Sequence, residues 1–191
     1  MDAALRVFAE HGFHKATIKR IAGQAQLRSP ALIYWYFTDK VDLFRAAILE
    51  RAPILKLAAS PESLLEAPPR QALLQVARTY YRTFDDPVAR RLMRVLLSEA
   101  TRNREVARHF AERGPMAVLR LLSSYLQRQV ELGRLRPHDP ETSARCFGGM
   151  LLVYLLGQEI FPPIAEGLPD ADRYAEEVVS IFLDGLSTEE A

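Results

Sequence analysis

The chain has 191 residues, 49% of them apolar, and therefore enough hydrophobic material for a sizeable globular core. Its 25 basic and 24 acidic side chains give a net charge of +1, which neither indicates nor excludes nucleic acid as a partner. The single cysteine, Cys146, excludes an intramolecular disulfide and the paired cysteines of a zinc site, and the longest apolar run, 150–156, is far shorter than the ~20 residues of a membrane span. We expect a cytoplasmic protein without a signal peptide or membrane contact, in which Cys146 is a small buried residue.

Four short helices are predicted at the start of the chain. The first has apolar residues at spacings of three and four and ends at Gly12, and Thr17 is placed to cap the N-terminus of the second. Ser29 and Pro30 are typical of the first residues of a third helix, and Asp39 is placed to cap a fourth. We expect this fourth helix to continue to about residue 53.

Longer helices follow a stretch that contains three prolines, 61–69, which separates them from the compact front of the chain. No alternating pattern of apolar and polar residues predicts a strand. The predicted helices cover residues 69–85, 87–101, 103–113, 115–132, 139–160 and 170–186. The sequence therefore predicts an all-α fold of about nine to ten helices, with domains at residues 1–50 and 51–191.

The first three short helices are joined by tight turns, a layout typical of a helix-turn-helix unit. Charge strengthens this interpretation. Residues 13–40 hold five basic side chains and one acidic side chain, Asp39, a net charge of +4, whereas residues 51–191 hold 18 basic and 19 acidic side chains. Positive charge is therefore concentrated at the front of the chain, as phosphate binding requires.

Four consecutive aromatic residues, 34–37, lie at the end of the predicted third helix. On a helix, Phe37 shares a face with Ile33, and we expect both to pack on the first two helices. Tyr34 and Trp35 would then project toward a DNA groove, where a phenol can donate to phosphate. The alternative is that all four rings are core, but an eight-residue helix buried on every face does not fit at the edge of a three-helix unit.

Motif residues occur in a fixed order between residues 3 and 48. They comprise alanines and Phe8 ahead of Gly12-Phe13, then Thr17, Ile21-Ala22, Ser29, Tyr34, Phe37 and Lys40. This signature resembles the DNA-binding domain of the TetR family of one-component bacterial transcriptional regulators. The resemblance implies an N-terminal helix-turn-helix DNA-binding domain, followed by a helical domain for ligand binding and dimerisation.

The resemblance also implies roles in DNA binding for individual residues. Thr17 and Lys40 match phosphate-contacting positions, although Thr17 is also placed as an ordinary N-cap and the alternative for Lys40 is a solvated surface lysine. The positions that meet base edges hold Arg28, Ser29, Pro30 and Ala31, and the positions that contact the DNA backbone hold Tyr34, Trp35 and Tyr36.

Two features depart from the family pattern. The spacing from Ile21 to Phe37 is one residue longer than in many members, which leaves open whether Arg28 or Ser29 reaches the bases. The chain also begins only two residues before Ala3, whereas relatives usually have a further turn and a basic arm. We expect either that an N-terminal DNA contact is missing or that the native start lies upstream.

One helix-turn-helix unit reads few base pairs, so we expect a homodimer on a palindromic operator whose half-sites lie about 34 Å apart, or a multiple of that distance. The family resemblance implies the same. We expect the last two predicted helices to form the dimer interface, with Gly148 and Gly149 permitting close approach; the alternative is that both helices only cover the core of one chain. The expected interface residues are Phe147, Leu151, Tyr154, Leu155, Tyr174, Val178, Ile181 and Phe182.

The resemblance further implies that the middle helices, 69–132, enclose a pocket for a small-molecule effector. The expected lining residues are Tyr80, Tyr81, Phe84, Met93, Leu97, Phe110, Met116, Leu119 and Tyr154. The alternative for each is plain core, because Met and aromatic residues at helical spacing are more often core than pocket wall. Aromatic residues favour an apolar ligand and nearby arginines an anionic one, so the effector class stays open.

An enzyme is the main alternative class of protein. Glu105 and His109 lie four residues apart on a predicted helix, but no further carboxylate is placed to complete a metal site, and the sequence contains no glycine-rich phosphate loop or nucleophile elbow. We therefore expect no catalytic residue, metal or cofactor. We expect a repressor that an effector releases from its operator; an activator, or an effector-independent or architectural DNA-binding protein, remains an alternative.

Overall fold

The computed structural model describes residues 1–102 and 104–186, and within them every regular element is helical, which confirms the all-α prediction. The elements are α1 (Asp2–Lys15), α2 (Ile18–Gln24), the 3-10 helix η1 (Pro30–Trp35), α3 (Lys40–Glu50), α4 (Pro53–Ala59), α5 (Glu62–Glu66), α6 (Pro69–Arg82), α7 (Pro87–Ala100), α8 (Arg104–Arg113), α9 (Pro115–Glu131), α10 (Pro140–Glu159), α11 (Pro162–Ala165) and α12 (Ala171–Asp184). None of these helices is long and apolar enough to cross a membrane.

The six long predicted helices correspond to α6, α7, α8, α9, α10 and α12. The predicted fourth helix is divided into α3 and α4, because Pro53 disfavours helical conformation at Ala52 and begins a helix of its own. Two further helices, α5 and α11, have only five and four residues and are too short to show a helical period in the sequence.

Side-chain caps fix helix starts that the sequence predicts. The Thr17 hydroxyl accepts the amide N–H of Arg20 at 3.1 Å, and the Asp39 carboxylate accepts that of Asp42 at 2.8 Å. Each cap satisfies an amide that has no partner within its own helix. The predicted N-caps of α2 and α3 are therefore confirmed.

The helices form two compact units, and the first comprises residues 1–52 and 83–114. Its core is built around phenylalanine rings. Phe8 is fully buried, and its ring centroid lies 4.8 Å from that of Phe44 and 6.1 Å from that of Phe13. Aromatic pairs at these separations stabilise a core beyond the area that they bury.

The first unit also contains α7, although the sequence predicts a domain boundary at residue 50. Leu92 and Leu96 of α7 are buried in the same apolar cluster as the core residues of α1. At the C-terminal ends of both helices, Nε2 of His14 lies 2.8 Å from Oε2 of the buried Glu99. Apolar burial thus joins α7 to a segment that is distant in sequence, which a division of the chain at one point does not capture.

The second unit comprises residues 53–82 and the described residues from 115 onward. Tyr125 and Phe147 are fully buried in it, and the Phe147 ring centroid lies 5.0 Å from that of Phe182. The Tyr125 hydroxyl donates to the backbone carbonyl of Ala67 at 2.8 Å. Burial raises the pKa of Tyr125 to about 12, although the Arg134 guanidinium opposes this shift.

One stripe of α10 faces the core of the second unit. Ala144, Phe147, Leu151 and Leu155 are buried at spacings of three and four residues. Cys146 lies outside this stripe and is exposed. The expectation of a buried cysteine is therefore wrong, because the helical period turns this position away from the core.

Candidate nucleic-acid interface

A five-residue turn, 25–29, separates α2 from η1 and is longer than the roughly three or four residues usual in a helix-turn-helix unit. Gln26 adopts the left-handed conformation, with φ 55°. The amide of Leu27 donates to the carbonyl of Ala22 at 2.9 Å, and the amide of Gln26 donates to that of Gly23 at 3.0 Å. These paired bonds form a Schellman motif, which fixes the direction of the chain toward η1.

The segment formed by η1 and its C-cap residue Tyr36 buries one apolar side chain and turns three aromatic side chains outward. Ile33 is 6% exposed, whereas Tyr34, Trp35 and Tyr36 are 55%, 78% and 79% exposed. Phe37 is partly buried against the core of the first unit. The outward direction of Tyr34 and Trp35 is therefore confirmed, Tyr36 also points outward, and the alternative that all four rings are core is wrong. Their contact with DNA stays a prediction.

The residues before and at the start of η1 differ in how much of each side chain is free. The Ser29 hydroxyl accepts the amide N–H of Ala31 at 3.2 Å and so caps η1, with Pro30 at the first helical position. Arg28 and Ala31 are exposed, while Ser29 is half-buried. Arg28 is thus the residue of this turn whose exposed, long side chain carries hydrogen-bond donors.

Thr17 is exposed while its hydroxyl caps α2. A hydroxyl oxygen that accepts one hydrogen bond still carries its own hydrogen as a donor. Both predicted roles of Thr17, the N-cap and the phosphate contact, are therefore chemically compatible in one side chain.

Lys40 is not the solvated surface lysine that the sequence leaves as an alternative. Its Nζ atom donates to the backbone carbonyls of Phe13 at 3.0 Å, Ala16 at 3.2 Å and His14 at 3.5 Å. The same atom lies 4.4 Å from the centroid of the Phe13 ring. The half-buried ammonium group is thus directed at the C-terminal end of α1.

The two units differ in net charge. In the sequence, residues 1–52 and 83–114 hold 15 basic and 10 acidic side chains, a difference of +5, and residues 53–82 and 115–191 hold 10 basic and 14 acidic side chains, a difference of −4. These values sum to the +1 of the whole chain. The nearly neutral composition therefore conceals a basic unit that carries η1.

The predicted pocket residues fall in both units. Tyr80, Tyr81, Met116, Leu119 and Tyr154 belong to the second unit, and Phe84, Met93, Leu97 and Phe110 belong to the first. In the first unit, Met93 and Phe110 pack on the apolar core, as the plain-core alternative expects, and Leu97 is 40% exposed.

Four tyrosines of the second unit form one ring cluster. The ring centroids of Tyr81 and Tyr154 are 5.0 Å apart, those of Tyr154 and Tyr174 are 4.9 Å apart, and those of Tyr80 and Tyr81 are 5.6 Å apart. Burial raises the pKa of Tyr80 to about 12 and also raises the pKa of Tyr81 and of Tyr154. Three of the four are predicted pocket residues; Tyr174, which the sequence assigns to the dimer interface, completes the cluster.

Most of the predicted dimer residues are buried within their own chain, which corrects that prediction. The buried residues are Phe147, Leu151, Leu155, Val178 and Phe182. Tyr154 and Tyr174 belong to the ring cluster, and only Ile181, which is 61% exposed, presents an apolar side chain to solvent. Helix α10 buries one apolar stripe and also exposes Leu152 and Val153, and the sequence period does not reveal which apolar face packs on the core of the same chain.

Other apolar side chains of α10 to α12 are exposed. They are Leu152, Val153, Ile160, Phe161 and Ile164, which are 39–51% exposed. With Ile181 they are the apolar surface that this end of the second unit offers to a partner. The signal that could have found them is the second apolar face of α10, because an amphipathic helix normally has only one.

No group of three or more His, Cys, Asp and Glu side chains in the described part of the chain could hold a metal ion. The side chains of Glu105 and His109 lie outside the described residues.

The chain matches two family descriptions. "Bacterial regulatory proteins, tetR family" matches residues 1–47, and "AefR-like transcriptional repressor, C-terminal domain" matches residues 71–185. The second match alone covers more than half of the chain.

Similar proteins are transcriptional regulators. The HTH-type transcriptional repressor Rv1474c of Mycobacterium tuberculosis is 30% identical over 160 residues, which are 83% of this chain and 79% of that protein. A TetR-family transcriptional regulator from Mesorhizobium loti has a crystal structure with a TM-score of 0.78 at 25% identity, covering 98% of this chain and 94% of that one. FadR from Bacillus subtilis, in complex with stearoyl-CoA, has a TM-score of 0.72 at 20% identity over 96% of each chain, which is a likeness of fold alone.

Proposed function

We propose that the protein is a cytoplasmic repressor that binds a palindromic operator as a homodimer and is released by a small molecule. The premise is that the chain belongs to the TetR family of bacterial transcriptional regulators. Membership of the family makes the protein a DNA-binding regulator and not an enzyme. The dimer, the operator contacts and the effector are the proposed parts.

The observation that carries the proposal is the exposure of Tyr34, Trp35 and Tyr36 on the unit with net charge +5. Three adjacent exposed rings are unusual on the surface of a protein that has no partner there. Phenol hydroxyls donate to phosphate, and ring faces pack against sugar, while basic side chains release counterions from the duplex. Together these features suit a sugar–phosphate backbone.

Arg28 is the residue that we propose to read a base edge. Its side chain is exposed and long, whereas Ser29 is half-buried and its short side chain is held at the backbone by the hydrogen bond that caps η1. A guanidinium donates two hydrogen bonds to the O6 and N7 atoms of guanine, the commonest specific contact in the major groove. Pro30 and Ala31 have small side chains at the start of η1, which allow the helix to approach the groove closely, and Thr17 donates to phosphate.

The dimer interface that we propose uses the exposed apolar residues of α10 to α12. Leu152, Val153, Phe161 and Ile181 would be covered by the same surface of a second copy, as a twofold axis requires. A homodimer carries two copies of η1, one for each half-site of a palindromic operator, whose half-sites lie about 34 Å apart or a multiple of it.

Release from DNA follows from differential affinity. An effector shifts the protein only if it binds the DNA-incompetent state more tightly, and a nearly complete shift between states requires a preference of about 10⁴-fold. FadR of Bacillus subtilis is similar in fold and has been crystallised with stearoyl-CoA, so a long-chain acyl-CoA is the first ligand to test.

Selection of bound sequences from random duplex DNA tests the operator part of the proposal. We expect a palindromic sequence to be enriched and bound by a dimer. Arg28→Ala should weaken binding to it by about tenfold or more and relax specificity at one base pair in each half-site. Arg91→Ala, which removes an exposed arginine from α7 of the same unit, is the matched control. Absence of any enriched sequence would contradict the proposal.

Sedimentation and thermal shift test the other two parts. Val153→Glu should convert the dimer to a monomer, because the apolar interface would then bury a carboxylate from each copy without a partner. Stearoyl-CoA and other acyl-CoAs should raise the melting temperature and weaken operator binding. If no ligand in such a series does both, the effector-independent alternative is favoured.

A further inference from the structure

Lys40 bridges the two ends of one segment of the first unit. Its Nζ atom donates to the carbonyls of Phe13, His14 and Ala16, at the end of α1, while its own backbone begins α3. Between these two points lies the segment 17–39. Every residue that we propose to contact DNA lies within that segment.

The Lys40 side chain caps the C-terminal end of α1, although the two are far apart in sequence. Carbonyls at the C-terminal end of a helix lack partners and carry partial negative charge, so a cation placed there is stabilised. An ammonium group has three N–H donors, and three carbonyls surround it. The face of the Phe13 ring adds a cation–π interaction.

The kink in α1 presents these carbonyls to Lys40. Gly12 has φ 71° and ψ 174°, which breaks the regular helix and leaves only a short last turn. Phe13 follows the kink and is fixed by the core, with its ring centroid 5.2 Å from that of Phe44. Lys40 therefore contacts a part of α1 that is itself anchored by packing.

We propose that Lys40 is a positioning residue, which closes the segment 17–39 at its base and thereby holds Thr17 and η1 in the arrangement that fits DNA. It acts through backbone carbonyls and does not donate to phosphate. This inference rests on the proposed DNA-binding function for its effect on affinity. Its effect on the segment itself is independent of DNA.

A comparison of two lysine variants tests this role. Lys40→Met and Lys19→Met each remove one positive charge from the first unit, but Lys19 is exposed on α2, so the pair is matched for charge. We expect Lys40→Met to weaken specific operator binding by about tenfold more than Lys19→Met does, comparable with the disturbance of one base contact. For Lys40→Met, the affinity for non-specific duplex and the dependence of log K on log salt concentration should match those of wild type.

Lys40→Arg separates positioning from phosphate contact. Arginine keeps the charge and binds phosphate well, but its planar fork does not fit three carbonyls around one nitrogen. We expect this variant to bind the operator as poorly as Lys40→Met. Full rescue by arginine, with a salt slope for Lys40→Met that is shallower by about 0.9 per subunit, would overturn the proposal in favour of a phosphate contact.

Hydrogen exchange of the DNA-free protein gives a readout that does not depend on the operator. The amides of Arg20 and Ala31 donate to the hydroxyls of Thr17 and Ser29 and make no hydrogen bond to Lys40. Their hydrogen exchange should be about tenfold faster in Lys40→Met and should proceed at the wild-type rate in Lys19→Met. Unchanged exchange in both variants overturns the closure of the segment. If wild type binds no duplex, the proposed function fails while this measurement still decides the role of Lys40.

Lys40→Gln, which keeps two N–H donors without charge, replaces Lys40→Met if the latter does not fold.

Discussion

Tyrosine side chains lie on the surface of the first unit and in the interior of the second. Tyr34 and Tyr36 are 55% and 79% exposed, whereas Tyr81 is 6% exposed and Tyr125 is fully buried. The residue type is the same, so the element that carries it decides the outcome. The six-residue η1 buries one side chain, while α6 and α9, with 14 and 17 residues, bury a whole stripe.

The two units also differ in the residue that takes the left-handed conformation at a helix C-terminus. The Schellman motif that ends α2 has Gln26 in the left-handed position, and the motif that ends α9 has Gly133 there, with φ 67° and a bond from Arg134 N–H to the carbonyl of Gln129 at 2.9 Å. Only glycine adopts this conformation without steric cost. The turn of the candidate DNA interface therefore carries strain that the turn of the second unit avoids.

The largest expected effect comes from the aromatic core of the first unit. Phe8→Ala removes a fully buried ring that packs on Phe44 and should lower the free energy of unfolding of that unit by about 3–5 kcal/mol. Operator binding should be lost, while exchange-protected amides of the second unit remain protected. Phe147→Ala, a matched change in the second unit, should show the reverse pattern of protection. Equal loss of protection in both units after either change would contradict the division into two units.

The assignment of α7 to the first unit can be tested with a leucine pair. Leu92 of α7 and Leu73 of α6 are 1% and 0% exposed, and replacement of either by Ala should cost about 2–5 kcal/mol. Leu92→Ala should accelerate hydrogen exchange in α1, and Leu73→Ala should accelerate exchange in α12, which packs on α6. If Leu92→Ala left α1 unaffected, α7 would not belong to the first unit.

Alkaline pH should destabilise the second unit selectively. Burial raises the pKa of Tyr80 and Tyr125 to about 12, whereas the unfolded chain has an ordinary tyrosine pKa near 10. The unfolded state therefore loses protons first, so stability is complete below pH ~10 and falls as pH rises toward ~12, by roughly 3 kcal/mol for each such tyrosine. Urea unfolding followed across this range measures the fall.

Tyr125→Phe provides the control for this pH dependence. The variant loses the hydrogen bond to Ala67 at every pH, but its stability should fall less steeply between pH ~10 and ~12. An equal slope in wild type and variant would show that Tyr125 does not titrate as its burial requires.

The smallest expected effect is an exchange of residues between the two capping turns. Gln26→Gly should raise the stability of the first unit by about 0.5–1 kcal/mol, because relief of the left-handed strain exceeds the added entropy of the unfolded chain. Gly133→Gln should lower the stability of the second unit by about 1–2 kcal/mol; its Cβ would meet no atom within 4 Å, so the cost is conformational alone. Stabilisation by Gly133→Gln would contradict this account.

Much of the candidate interface could be predicted from the sequence, because its features are local. The caps at Thr17, Ser29 and Asp39 depend on residues two or three positions away. The outward direction of Tyr34 and Trp35 follows from a short helix with one apolar anchor. Even the helical class of the whole chain needs only periodicity and the placement of proline and glycine.

The sequence by itself thus determined the helices, their caps, the basic front segment and the rings that face outward. The tertiary structure alone decided that α7 joins the first unit, that Phe147 and Phe182 pack on each other within one chain, and that the ammonium group of Lys40 lies on carbonyls 24 to 27 residues earlier in the chain. The physical reason is that a helical period shows which side chains are apolar and which share a face. Which other helix covers that face depends on contacts between residues far apart in sequence, and these form only when the whole core packs.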